Sequence, residues 1–136
     1  MMRQAGRYLK DYRDIRQKVS FLELCKNVDL AAEVSLQPLR IVGVDAVIFF
    51  SDILIPVEAM GVTVELTDKG PEIAHPVRSN ADVQKLRTPD PADDMPFVGA
   101  ILRRLRTELR DQVPLIGFSG APWTCLLYTS PSPRDS

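Results

Sequence analysis

The sequence has 136 residues, 45% of them hydrophobic and 26% charged, and 17 basic against 18 acidic side chains leave a net charge of -1. That suits one small domain or a piece of a larger one and offers no bulk field for nucleic acid; no apolar run nears the roughly 20 residues that span a bilayer. The polar start MMRQAGRYLKDYRDIRQK is no secretory core, so the cytoplasm is expected, and two cysteines with one histidine predict neither a disulfide framework nor a metal site.

In chain order, Tyr8 to Lys18 carries apolar residues at Tyr8, Leu9, Tyr12, Ile15 and Val19, a spacing that predicts a helix with one packed face. Phe21 to Cys25 reads as a short apolar turn. Asp29 is expected to open a longer helix, with Pro38 kinking or ending it and Gly43 as its stop. Val44 to Phe50 is nearly continuous in branched and aromatic residues, as in a strand buried on both faces of a parallel sheet. Val62 to Ile73, with Lys69-Gly70-Pro71 as the turn, predicts a small hairpin. Asn80 is the expected cap of a short helix reaching Leu86, and Pro89 and Pro91 mark a loop. Asp93 and Asp94 then precede a long helical stripe of Phe97, Val98, Ile101, Leu102, Leu105 and Leu109. Val113 to Phe118 is a second candidate for a buried strand. Helix, strand, helix, strand is the rhythm of an α/β fold.

From Cys125 to Ser136 the pattern lapses into CLLYTSPSPRDS, which can be back-translated in frame to a common transposase sequencing adapter. Residues 1–124 are therefore expected to be the folded portion and residues 125–136 a non-native tail.

Three segments offer chemistry. Arg3-Gln4-Ala5-Gly6-Arg7 places two guanidiniums four positions apart around a glycine; they can converge on one carboxylate by paired charge-assisted bonds, or simply form a solvated helix start. Gly6 would let backbone approach a ligand. Asp52 follows Phe49-Phe50-Ser51 at the carboxyl end of the first strand, where α/β folds place active-site groups, though it can equally cap the next helix. Gly117 to Thr124 supplies small residues after the second strand, with Trp123 as a wall or as core. His75 and the arginines of the long helix read as solvated, and Cys25 as a small core residue.

Taken together, these segments resemble the uroporphyrinogen decarboxylase family. Met2 to Arg7 matches the later half of its first signature and Gly117 to Thr124 its second, in the right order. Between them lie Phe21-Leu22-Glu23-Leu24-Cys25, Leu36-Gln37-Pro38-Leu39-Arg40, Phe50-Ser51-Asp52-Ile53-Leu54, Glu58-Ala59-Met60-Gly61 and Lys69-Gly70-Pro71, so the likeness covers nearly all of residues 1–124. The family's tryptophan before Met1 is missing, which points to a start further upstream.

The resemblance implies a (β/α)₈ TIM barrel, of which this is the N-terminal, incomplete part, assembled as a homodimer and working without metal or organic cofactor. It implies decarboxylation of the four acetate arms of uroporphyrinogen III to give coproporphyrinogen III, in haem biosynthesis. Carried across by position, Arg3 and Arg7 would grip substrate carboxylates, with Gln4, Ala5 and Gly6 shaping that wall and Phe21 lining the cleft. Asp52 would be the catalytic carboxylate beneath the macrocycle. Tyr128 stands at the offset of a substrate-contacting tyrosine, but inside the anomalous tail. Since a whole barrel takes about 250 residues, these residues alone are expected to be inactive and prone to self-association. The alternatives are a cobamide-dependent methyltransferase of the same superfamily, disfavoured by the Arg-Gln-Ala-Gly-Arg segment and the scarcity of His and Cys, or a tetrapyrrole-binding fragment without catalysis.

Overall fold

The computed structural model describes residues 6–67 and 70–121. Their elements, in chain order, are α1 (Lys10–Arg16), α2 (Phe21–Lys26), α3 (Val28–Val42), β1 (Val47–Ile48), α4 (Ile55–Ala59), β2 (Val64–Thr67), β3 (Gly70–Ile73), α5 (Asn80–Val83), α6 (Pro91–Asp94), α7 (Pro96–Leu109) and β4 (Leu115–Ile116). The expected α/β class holds. The chain divides into two compact units, residues 6–51 with 96–118, and residues 52–67 and 70–95 with 119–121.

In the first unit, β1 and β4 run parallel, with Val47 opposite Leu115 and Ile48 opposite Ile116. Parallel neighbours need a crossover between them, and α7 lies on that connection. The helix packs on α3, and α3 also meets α1, α2 and β1. Leu24, Ala31, Val34, Ile101 and Leu105 are fully buried between these elements.

Several boundaries differ from expectation for local reasons. The segment at Phe21 is a helix rather than a turn, because Ser20 and Glu23 form a capping box that satisfies donors at its start. The cap of α3 is Asn27, whose side chain accepts from Asp29 and Leu30 N–H; Asp29 lies in the first turn. Pro38 neither ends nor interrupts α3. A mid-helix proline costs about 3 kcal/mol, and the burial of Ala31, Ala32, Val34 and Leu36 outweighs it. Gly43 stops the helix as expected, at φ 74.

Both strands are shorter than their apolar runs. Leu115 and Ile116 of β4 are half-buried rather than core, with β1 their one strand neighbour among the described residues. Asp93 and Asp94 do not start the long helix: they lie in α6, where Asp94 is held by Arg87 at 2.5 Å and by the Asp90 N–H at 2.8 Å. Nor are the long helix's arginines all merely solvated. Arg104 pairs with Asp29 and Glu108, while Arg40 reaches Glu33 at 2.8 Å and Glu108 at 3.3 Å, so five charges link α3 to α7. Exposed pairs of this kind add little to stability one by one, because water and salt screen them.

The second unit is built on a smaller scale. Leu54, Val57, Val62 and Val64 form its core, with Ile53, Ile73 and Leu86 against them. The predicted hairpin is present, β2 pairing antiparallel with β3 and Val64 opposite Ile73, but Gly70 and Pro71 belong to β3 rather than to the turn. The cap of α5 is Ser79, not Asn80, because its hydroxyl accepts the Asp82 N–H; α5 ends at Val83, before Leu86.

Candidate functional site

Arg3, Gln4, Ala5 and Tyr128, along with Trp123, lie outside the described residues. Gly6, Arg7 and Phe21 belong to the first unit, and Asp52 to the second.

Gly6 adopts φ +70, and its carbonyl accepts the Leu9 N–H at 2.8 Å, forming the turn that leads into α1. A Cβ there would sit 2.9 Å from Pro38 Cγ and 3.0 Å from Leu9 Cδ1. The glycine thus has an internal cause, a left-handed backbone against a proline, whether or not a ligand comes near. Arg7 follows directly. Its guanidinium carbon lies 5.4 Å from the centre of the Phe21 ring, within the range of a cation–π contact worth about 0.5–1 kcal/mol at an exposed site.

The capping box at Ser20 fixes Phe21 as the first residue of α2. Phe21 is buried and meets Phe50 edge to face at 5.6 Å; Phe50 meets Tyr12 at 5.9 Å. Sequence reasoning passed over Arg16, whose guanidinium carbon lies 5.9 Å from the same Phe21 ring and whose Nη1 donates to Val19 O at 2.7 Å. The signal was available: position 16 lies on the same side of α1 as Tyr12 and Leu9, the face that packs. Burial holds the Tyr12 phenol above its ordinary range, while the charges of Arg7 and Arg16 draw it partway back. The result is a buried aromatic cluster with two guanidiniums over its Phe21 ring. Guanidiniums held in this way suit a ligand that carries carboxylates.

Asp52 is half-buried, and its Oδ1 accepts the Leu54 N–H at 2.8 Å in the turn before α4. Asp52 is therefore not the cap of α4, whose N-cap is Leu54 without a side-chain cap bond; its Oδ1 instead closes the turn ahead of the helix. Oδ2 has no hydrogen-bond partner among the described residues, so the carboxylate keeps an acceptor to offer. His75 is exposed and Cys25 buried, as expected.

Comparison with known proteins bears on this arrangement. A model of the family described as uroporphyrinogen decarboxylase (URO-D) matches residues 1–132. The uroporphyrinogen decarboxylase of Myxococcus xanthus is 60% identical over 128 residues, covering 94% of this chain and 37% of that protein. That of Geotalea uraniireducens is 56% identical over 128 residues, covering 94% and 38%. The chain thus spans little more than a third of the length of the curated relatives it matches. Among solved structures, a methyltransferase from Methanosarcina mazei superposes with a TM-score of 0.57 at 22% identity, covering 82% of this chain and 35% of that one, a likeness of fold. With the family matched from residue 1 to residue 132, the chain belongs to the uroporphyrinogen decarboxylase family.

Proposed function

We propose that this chain, within a protein of its relatives' length, takes part in decarboxylating the four acetate arms of uroporphyrinogen III to give coproporphyrinogen III. The family match over residues 1–132 carries the reading. The same reading makes the chain the N-terminal part of a (β/α)₈ barrel, with a homodimer as the assembled form and the cytoplasm as its place. Among the described residues no helix is long and apolar enough to cross a membrane.

The chemistry follows from the substrate. A proton adds to the pyrrole α carbon next to the ring carbon that bears the acetate arm, making the ring cationic and leaving the arm conjugated to it. The bond to the carboxylate then breaks, and its electrons flow into the ring as CO₂ leaves. A proton delivered to the resulting methylene carbon makes a methyl group, and the ring sheds the first proton. The substrate is its own electron sink, so the protein's part is orientation and charge.

Arg7, with Arg3, grips carboxylates that are not reacting, and Phe21 offers an apolar surface to the macrocycle; Arg16, beside the same ring, belongs with them. Gln4, Ala5 and Gly6 shape that wall. Holding the substrate in one pose supplies orientation. Asp52 accepts pyrrole N–H groups through its uncommitted oxygen and stabilises the cation, a fixed charge where charge develops.

The tail from Cys125 is read as library-derived; since the family match extends to residue 132, this rests on one possible back-translation alone, and the source nucleotide read tests it. Tyr128 carries a substrate role only if the codons in that read differ from the adapter. The function itself is tested with the chain extended to its relatives' length, by measuring CO₂ release from uroporphyrinogen. Carboxyl loss in four steps is expected. Cobalamin-dependent methyl transfer, or porphyrinogen binding with no CO₂, would replace the reading.

A further inference from the structure

Ser35 stands in the middle of α3, 1% exposed. Its hydroxyl donates to Ala31 O, one turn back, at 2.7 Å. With its proton so engaged, the oxygen accepts the Phe50 N–H at 2.9 Å. A serine inside a helix usually spends its hydroxyl on the preceding turn alone. Here it also reaches a strand end fifteen residues later in the chain.

The backbone at that end explains why. Val47 donates to Pro114 O at 2.9 Å and Phe49 to Ile116 O at 3.0 Å, on the β4 side. Donors alternate along a strand, so the Phe50 N–H faces the opposite edge, where a further strand would ordinarily supply a carbonyl. The Ser35 hydroxyl takes that place. It satisfies a donor that would otherwise be buried and unpaired.

What rests on Phe50 is the first unit's part of the candidate site. Its ring packs on Phe21, over which Arg7 and Arg16 lie. Its next two residues are Ser51 and Asp52. We propose that Ser35 is a positioning residue for this site: one buried hydroxyl fixes the strand end on which the aromatic cluster under Arg7 and Arg16 rests and from which the sequence continues to Asp52. The proposal rests on the decarboxylase reading above.

The test uses the chain extended to its relatives' length, with kcat and KM for uroporphyrinogen measured per folded enzyme and amide exchange followed at Phe50. Ser35→Ala should lower kcat about tenfold to a hundredfold, leave KM within about twofold, and speed exchange at Phe50. Ser35→Thr, which keeps the hydroxyl, should restore both. If Ser35→Ala does not fold, Ser35→Cys, similar in size and a weak acceptor, carries the same expectation. Unchanged exchange at Phe50 would overturn the proposal, as would wild-type kcat despite faster exchange. Asp52→Asn, run alongside, separates the two failures. If Asp52→Asn loses turnover while Ser35→Ala keeps it, the inference about Ser35 fails alone; if wild-type enzyme releases no CO₂, the decarboxylase reading fails.

Discussion

The two units hold themselves together by different means. In the first, helices of 15 and 14 residues bury whole faces against each other and against a parallel strand pair, leaving Leu24, Val34, Ile101 and Leu105 without solvent contact. In the second, helices of four or five residues and one hairpin surround a handful of aliphatic side chains, and much of the order comes from polar caps and bridges. Ser79 and Asp82 close on each other, Asp90 caps α6, and Arg87 reaches Asp94 and Ala59 O. Burial spread over many residues tolerates a local fault such as Pro38. Order that rests on single hydrogen bonds does not.

The sharpest way to break that difference is truncation at the cores. Leu105→Ala should cost about 2–5 kcal/mol, since its site is walled by helices that cannot collapse fully. Val57→Ala in the second unit removes less apolar volume and should cost about 2 kcal/mol. Chemical denaturation of both variants checks the order, and equal losses would erase the distinction.

Next comes Gly6→Ala. It combines a left-handed φ with a 2.9 Å approach to Pro38 Cγ, and should cost about 1–3 kcal/mol. Thermal unfolding should show the loss, and a wild-type melting temperature would mean that the turn is made differently.

The smallest effects are in pH, and they have opposite signs in the two units. Tyr12 has its folded pKa raised by burial, so its contribution is whole below the ordinary phenol range and fades as pH climbs through the folded value. Asp82 has its folded pKa lowered, first by the Ser79 side chain and then by the Arg78 N–H, so its contribution is present above the ordinary carboxylate range and fades as pH drops through the folded value. Tyr12→Phe should therefore flatten the alkaline limb of the stability profile and Asp82→Asn the acid limb. Each limb staying unchanged in its own variant would contradict the assignment.

The same difference governs what could be read from sequence. The stripe in α7, the Gly43 stop and the αβ rhythm were legible because each averages over many residues or rests on a residue with one conformational use. The hairpin was legible from alternation, but not the edges of its turn. Ser79 against Asn80, and Asn27 against Asp29, could not be separated, because neighbouring cap formers differ by little and the choice is made by one side-chain bond. The acidic pair Asp93-Asp94 misled for a similar reason: a carboxylate suits a helix start, but here Arg87, close only in the folded chain, claims Asp94. At the site, the motif residues could be named one by one. That Arg7 and Arg16 share the Phe21 ring could not, because the contact joins the turn before α1, α1 itself and the start of α2. Ser35 gave no signal at all, since a serine in a helix has several ordinary uses.

In the proposed decarboxylation, labour is divided between a guanidinium that holds substrate and a carboxylate that stabilises its cation. Steady-state kinetics of Arg7→Ala and Asp52→Asn, in the chain extended to its relatives' length, tests that division most directly. Arg7→Ala should raise KM for uroporphyrinogen about tenfold or more, whereas Asp52→Asn should lower kcat about a hundredfold to a thousandfold with KM little moved. Near-normal turnover in Asp52→Asn would contradict it.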